Sequence, residues 1–182
     1  MNNRDITQKL ALLPEGLAES NIQSWKETVE FFERPVDAMI GEHFPYSNLV
    51  GKVAMAVLKS EQAKLFKAGE QAYSLIISTA DSQELKIGEP FLNVDVGRGF
   101  LTVRYHINEP YTAKERSNIH IRIMGFAPEE VMTLSENNIM TVLQPMLNLL
   151  WDETRGRKNV EKQKQPHPSR ESERRKFEAS KT

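Results

Sequence analysis

The sequence contains no cysteine, which excludes disulfide bonds, thiolate metal sites and cysteine nucleophiles. It also lacks long apolar runs, since its uninterrupted apolar stretches are only a few residues long. A helix that crosses a bilayer needs roughly 20 such residues. The segment from Met1 to Ile6 has no apolar signal-peptide core. These features predict a cytoplasmic protein that does not associate with membranes.

Motifs for catalysis and cofactor binding are missing as well. The chain has no Gly-x-Ser-x-Gly, no His-Glu-x-x-His and no acidic calcium loop. Gly97-Arg98-Gly99 is not a phosphate loop, because neither a helical pattern nor a Lys-Ser/Thr pair follows it. The sequence therefore favours a non-enzymatic protein with no catalytic residues, no cofactor and no metal ion.

Charge is unevenly distributed along the chain. The 182 residues include 24 basic and 25 acidic side chains, a net charge of −1. From Arg155 onward there are ten basic and four acidic residues, so residues 1–154 carry a net −7 and the remainder carries +6. The apolar pattern stops after Gly156, and the composition there is typical of a disordered segment. We predict one α+β domain over residues 1–154 and a disordered basic tail over 155–182.

Apolar residues at three- and four-residue steps predict helices at both ends of the domain. The helices are expected as two within residues 3–34, one from 47 or 48 to about 69, and one from 139 to about 153. Pro145 lies inside the last of these and predicts a kink. The apolar stripe of residues 139–151 is wide enough to serve a dimer interface as well as the core.

Alternating apolar residues predict an antiparallel meander of three or four strands between the helices. The strands are expected at 72–78, 91–96, 100–107 and 117–124. Val94 and Val103 share the buried face only if the loop has an even length, so we expect a two-residue turn at 97–98 or 98–99. The last strand is expected to bury Ile119, Ile121 and Ile123. One apolar sheet face must then be covered by helices, including the kinked C-terminal one.

The other face of this sheet is the first candidate site. Arg104, His106, His120 and Arg122 are expected to lie together there, and Arg and His side chains bind carboxylates or phosphates. Asp95 and Asn93 extend the same face and are placed to neutralise part of its charge. The adjacent arginines argue against a metal ion at the two histidines. A solvated antiparallel sheet shows the same polar alternation, so this pattern is compatible with a site or with plain solvation.

The basic tail is the second candidate site. Its cations fall in two groups, namely Arg155, Arg157 and Lys158, and Arg174, Arg175 and Lys176. Such an arm can neutralise phosphates or dock on an acidic protein. Phe177 is the only aromatic residue of the tail, which leaves little capacity for base stacking. A protein partner is therefore favoured over nucleic acid.

The leading functional hypothesis is a protein-interaction module: an adaptor, a chaperone-like protein or a subunit of a larger assembly. It would associate with a partner or with copies of itself by burying an apolar helix surface, and the arm would steer it toward an acidic partner. The first alternative is an anion-binding or small-ligand domain that uses the Arg/His face. The second alternative is a nucleic-acid-associated protein that binds through its tail.

Overall fold

The computed structural model describes residues 3–34, 47–79, 89–97, 100–107, 123–127 and 133–156. Within these ranges the chain forms N-terminal helices, an antiparallel sheet and a C-terminal helix packed on it, so the α+β prediction is confirmed. The helices are α1 (Asn3–Leu10), α2 (Leu17–Glu33), α3 (Ser47–Leu58) and α4 (Glu136–Trp151). A 3₁₀ turn (Glu61–Lys64) follows α3, and a π turn (Asp152–Gly156) follows α4.

The sheet is a meander whose five strands lie in chain order. They are β1 (Lys67–Gln71), β2 (Ser74–Ser78), β3 (Pro90–Gly97), β4 (Phe100–Ile107) and β5 (Ile123–Phe126). Each strand is antiparallel to its neighbour. The sheet thus has more strands than the three or four predicted.

The additional strand is β1, and the prediction of one long helix to about residue 69 was wrong. Helix α3 ends at Leu58, and Ser60 then caps the 3₁₀ turn by accepting the N–H of Gln62. Beyond this turn the chain is extended and pairs with β2. Residues 72 and 73, expected to begin the next strand, instead form the turn between β1 and β2.

One sheet face and three helices enclose the core. The strands contribute Leu75, Ile77, Leu92, Val94, Leu101 and Val103, and the helices contribute Trp25, Val29, Phe32, Val53, Val57, Leu143, Leu147 and Leu150. Full burial of one such side chain contributes about 1.5–3 kcal/mol. Helices α2 and α3 approach closely at Gly51, where a Cβ atom would lie 2.9 Å from the Cβ of Phe32.

The pairing of β3 with β4 confirms the predicted hairpin. Val94 lies opposite Val103, and Gly97 lies opposite Phe100. Two residues therefore connect the strands, which is the even loop length that the alternation requires. Of the two predicted turns, this register fits Arg98-Gly99, whose own conformation lies outside the described residues.

The pairing of β4 with β5 corrects the prediction for the last strand. The register places Ile123 opposite Arg104 and Met124 opposite Val103. This register makes Ile123 the partner of the polar Arg104, so it does not support the predicted burial of Ile123. β5 extends past the predicted end at residue 124 and includes Gly125. Residues 117–122 are outside the described part of the chain.

Helix α4 begins at Glu136, three residues before the predicted start, and continues through Pro145. The side chain of Ser135 accepts the N–H of Asn138 as the N-cap, an interaction worth about 1 kcal/mol. Pro145 lies on an exposed position of the helix and cannot donate to the carbonyl of Thr141. The kink at Pro145 stays a prediction, and residues 157–182 of the tail lie outside the described residues.

Candidate functional site

The sheet face away from the helices, here called the polar face, carries the predicted Arg104 and His106. Nη1 of Arg104 lies 2.8 Å from Oδ2 of Asp95, and the other carboxylate oxygen of Asp95 accepts the hydroxyl of Thr102. The side chains of the ion pair are 31% and 23% exposed. Asp95 thus neutralises Arg104, as the sequence predicted for this face.

His106 is biased toward its uncharged form on the polar face. Its ring stacks on Phe91 with 5.3 Å between the ring centroids and 15° between the planes. Burial lowers the pKa of His106 below its usual value, the positive charge of Arg104 lowers this pKa further, and Asp95 opposes part of the shift. His120 and Arg122 lie outside the described residues. In the described part of the predicted anion site, Arg104 is therefore paired with Asp95, and His106 is biased against protonation.

The polar face also contains a buried hydrogen-bond acceptor. Asn93 lies opposite Arg104 in the register, and the side-chain oxygen of Asn93 is buried with no hydrogen-bond partner among the described residues. A buried carbonyl oxygen needs a donor, whereas an anion supplies acceptors. This feature does not favour an anion at the centre of the face.

Arg155, the first residue of the predicted tail, is part of the folded domain. It belongs to the π turn, is partly buried, and donates from Nη2 to the carbonyl of Thr79 at 3.1 Å. The other tail cations of the prediction are outside the described residues: Arg157, Lys158, Arg174, Arg175 and Lys176. This hydrogen bond attaches the π turn to the residue that follows β2.

The apolar stripe of α4 belongs to the core of the domain. Six of its residues are buried there: Ile139, Leu143, Met146, Leu147, Leu150 and Trp151. Among the residues that the structure describes, Leu12 is the only large hydrophobic side chain classed as exposed, at 49%. The described surface therefore offers no apolar helix face of the kind that the sequence suggested as an interface.

The outer edge of β1 is a site that sequence reasoning missed. Helix α2 lies beside this edge and makes three hydrogen bonds there, two to the residues that precede β1 and one to Ala68 of β1 itself. The side-chain amide of Asn21 donates to the Lys64 carbonyl at 2.9 Å, and the indole of Trp25 donates to the Phe66 carbonyl at 2.7 Å. The N–H of Ala68 donates to the hydroxyl of Ser24 at 3.0 Å.

Within β1 these bonds engage only the backbone N–H of Ala68. Because the N–H of Ala68 points away from β2, the backbone alternation of a strand turns the N–H of Glu70 outward too. Glu70 is exposed, and no hydrogen-bond partner for its N–H occurs in the described part of the chain. β1 therefore presents unpaired backbone groups in its second half.

A cleft of about 450 Å³, here called the helix-side cleft, runs between α2 and this edge. Its lining consists of Ser20, Gln23, Ser24, Glu27, Thr28, Phe31, Arg34, Lys67, Ala68 and Glu70. The α2 residues of this lining extend over about 21 Å of helix, at 1.5 Å per residue. About six residues of an extended chain have the same length.

A second cleft, of about 220 Å³ and here called the polar-side cleft, lies on the opposite face of β1. It is lined by residues 67–71 together with Ile76 and Ser78. Gly69 lies opposite Ile76 in the register, and a Cβ atom on Gly69 would have no neighbour within 4 Å. The lack of a side chain at Gly69 therefore leaves room beside Ile76.

The turn that ends β1 is strained. Ala72 and Tyr73 both have positive φ angles, 46° and 63°, as a type I′ turn requires. Residues other than glycine and asparagine adopt this region at a cost of about 1–2 kcal/mol. The ring of Tyr73 lies 5.6 Å from that of Phe31, so packing against α2 helps to hold the turn.

Comparison with protein-family models, with curated proteins and with solved structures gave no match. None of the described helices is long and apolar enough to cross a membrane. Across the described ranges, no three histidine or acidic side chains converge in a group that could hold a metal ion.

Proposed function

We propose that this protein is a non-enzymatic interaction module that binds an extended segment of a partner protein along the outer edge of β1. The observation that supports the proposal is the pair of clefts on the two faces of one partly open edge strand. In strand addition, backbone hydrogen bonds provide affinity and pockets for alternate side chains provide specificity. Adaptor, chaperone-like protein and assembly subunit are all roles that such a module can serve, and the cytoplasm remains the proposed location.

The alternation of strand side chains matches the position of the clefts. Successive residues of a strand point to opposite faces. A segment paired with β1 would direct the residues opposite Ala68 and Glu70 toward the helix-side cleft. The residue opposite Gly69 would be directed toward the polar-side cleft. Each cleft would thus receive side chains from one face of the same bound segment.

A second copy of the chain fits the same edge poorly. A two-fold axis at the open end of β1 places Glu70 opposite the Glu70 of the second copy, and like charges directly opposite each other are destabilising. An axis at Gly69 pairs Ala68 with Glu70 instead, but the N–H of Ala68 is already bonded to Ser24. A partner segment avoids the facing glutamates, because its sequence is independent of β1, and it can pair at Glu70 without the N–H of Ala68.

The anion-binding alternative receives less support from the geometry. Arg104 is paired with Asp95, and the pKa of His106 is lowered by burial and by Arg104. The nucleic-acid alternative depends on tail residues outside the described part of the chain, and it stays a sequence prediction.

The proposal is tested by blocking the outward N–H of Glu70. Peptides selected for binding from a display library of random extended sequences are titrated against the full chain. Glu70→Pro removes the N–H, which an edge strand tolerates, and we expect the affinity to fall by about tenfold or more, since each factor of ten is 1.4 kcal/mol. Glu70→Thr, the control, keeps the backbone donor and should retain binding of peptides that lack a basic residue.

A second measurement covers the case in which Glu70→Pro does not fold. N-methyl groups are introduced one at a time into a selected peptide. Methylation should weaken binding at every second residue, because strand pairing uses alternate backbone groups. Uniform tolerance of N-methylation, or equal binding by the folded proline variant, would contradict the proposal.

A further inference from the structure

The recognition chemistry of this edge follows from two adjacent residues of β1, and the inference rests on the proposed function. We infer that the partner segment carries a large apolar residue opposite Gly69 and, next to it, a basic residue opposite Glu70. The two side chains would point to opposite faces of the extended edge. The partner is thus an extended basic–apolar peptide.

Gly69 determines the apolar half of the motif. The residue opposite Gly69 lies on the polar face, where the polar-side cleft offers about 220 Å³. Ile76, only 9% exposed, is the apolar side chain of that cleft, and it lies across from Gly69. Because Gly69 has no side chain, a leucine or phenylalanine of the partner can extend across β1 to Ile76. A large side chain that covers a glycine of the neighbouring strand is a known stabilising pairing in sheets.

Glu70 and Glu27 determine the basic half of the motif. Both side chains are exposed and line the helix-side cleft, Glu70 from β1 and Glu27 from α2. Two cations also line the cleft, Arg34 and Lys67. Arg34 is bonded to Glu30 at 3.1 Å, and the alternation of β1 directs the Lys67 side chain to the face opposite that of Glu70. Opposite charges at facing positions of two strands attract. A lysine or arginine opposite Glu70 therefore faces acidic groups on both walls of the cleft.

The probes are two synthetic peptides of about eight residues, enough to exceed the six-residue groove. One has a central Lys-Leu pair between threonines and serines and the other has Leu-Lys, because antiparallel and parallel pairing require opposite orders. Control peptides replace the lysine by glutamate or the leucine by serine. We expect one of the two orders to bind the full chain, and each control to bind about tenfold more weakly.

Two variants of β1 connect this preference to its residues. Gly69→Val fills the polar-side cleft without a clash, since nothing lies within 4 Å of the added Cβ. The affinity of the leucine peptide should fall about tenfold in this variant, and the affinity of the serine control should stay within about twofold of its value for the native chain. Glu70→Lys should reverse the charge preference, so that the peptide with glutamate becomes the tighter ligand. Glu70→Gln is the neutral control and should reduce the preference for lysine without reversing it, because Glu27 still lines the cleft.

The outcomes separate this inference from the proposed function. If selected peptides lose binding in Glu70→Pro while Gly69→Val and Glu70→Lys change neither preference, strand addition stands and the basic–apolar motif is overturned. If Glu70→Pro has no effect on any bound peptide, the proposed function itself fails. A concentration-dependent dimer in light scattering that Glu70→Pro dissociates would show a second copy on the edge and would contradict a partner segment.

Discussion

The indole N–H of Trp25 donates to the backbone carbonyl of Phe66 at 2.7 Å, and the Trp25 side chain is fully buried. This bond connects the middle of α2 to the residue immediately before β1. The Ala68 N–H, two residues further on, is bonded to Ser24. The position of α2, and therefore the width of the helix-side cleft, depends on these contacts.

Replacement of Trp25 by phenylalanine should destabilise the fold through this carbonyl. Trp25→Phe leaves the Phe66 carbonyl buried without its donor, which costs about 1–3 kcal/mol beyond the loss of ring volume. Trp151→Phe is the comparison, because Trp151 is also buried and contacts the Phe66 ring. Urea denaturation measures the free energy of unfolding of both variants. An equal loss in the two would contradict a special role for the Trp25 bond.

The turn between β1 and β2 should be stabilised by glycine at its first position. Ala72 has a φ of 46°, and relief of left-handed strain gains about 1–2 kcal/mol, less about 0.5–1 for the greater freedom of unfolded glycine. Ala72→Gly should therefore raise the free energy of unfolding by about 0.5–1 kcal/mol in urea denaturation. Tyr73→Gly relieves similar strain but loses the contact with Phe31, so its gain should be smaller. A loss of stability in Ala72→Gly would argue against the type I′ geometry.

His106 should make stability decrease as the pH falls. Its pKa is lowered in the folded protein by burial and by Arg104, so the unfolded chain binds the proton first. The contribution of uncharged His106 to the free energy of unfolding is fully present above the unfolded pKa of about 6.5. It is lost as the pH falls from there toward the pKa of the folded state. Unfolding free energies between about pH 8 and pH 5 should decline more in the native chain than in His106→Gln. Parallel pH profiles would contradict the lowered pKa.

Removal of the Asp95 charge should create anion binding where the native chain has little. Asp95→Asn leaves the Arg104 guanidinium without the carboxylate at 2.8 Å, while Thr102 keeps a hydrogen-bond acceptor. We expect sodium phosphate to raise the Tm of Asp95→Asn more than that of the native chain, each measured against sodium chloride at equal ionic strength. Asp95→Asn/Arg104→Gln is the control and should lose the phosphate effect. A large phosphate shift in the native chain would instead support the anion-binding alternative.

The β3–β4 hairpin was predictable because the alternation of its residues allows only a register that keeps the apolar side chains on one face. Val94 and Val103 are flanked by polar residues on both sides, so a change of register by one residue would bury charge. The four residues of β5 contrast with this, since Ile123, Met124 and Phe126 are apolar at both odd and even positions. The alternation alone could not select a register for these residues, and the pairing with β4 fixes it.

The edge strand β1 was missed for a related reason. Residues 67–71 contain no β-branched or aromatic side chain. Helices often end at a glycine, so Gly69 resembled the end of a helix that continued through Phe66. The strand forms because the buried run of Leu75, Ile76 and Ile77 in β2 requires a neighbour on its outer side. The bonds from α2 to residues 64–68 hold that neighbour in place, and such long-range contacts have no local sequence pattern.

The most direct measurement is the amide hydrogen exchange of Glu70 with and without a selected peptide. The account predicts that saturation with peptide slows exchange at Glu70 by about tenfold or more, because its outward N–H gains an acceptor. The amide of Ala68, already bonded to Ser24, should change much less and serves as the internal reference. Unchanged exchange at Glu70 in the peptide-saturated protein would contradict binding at the edge of β1.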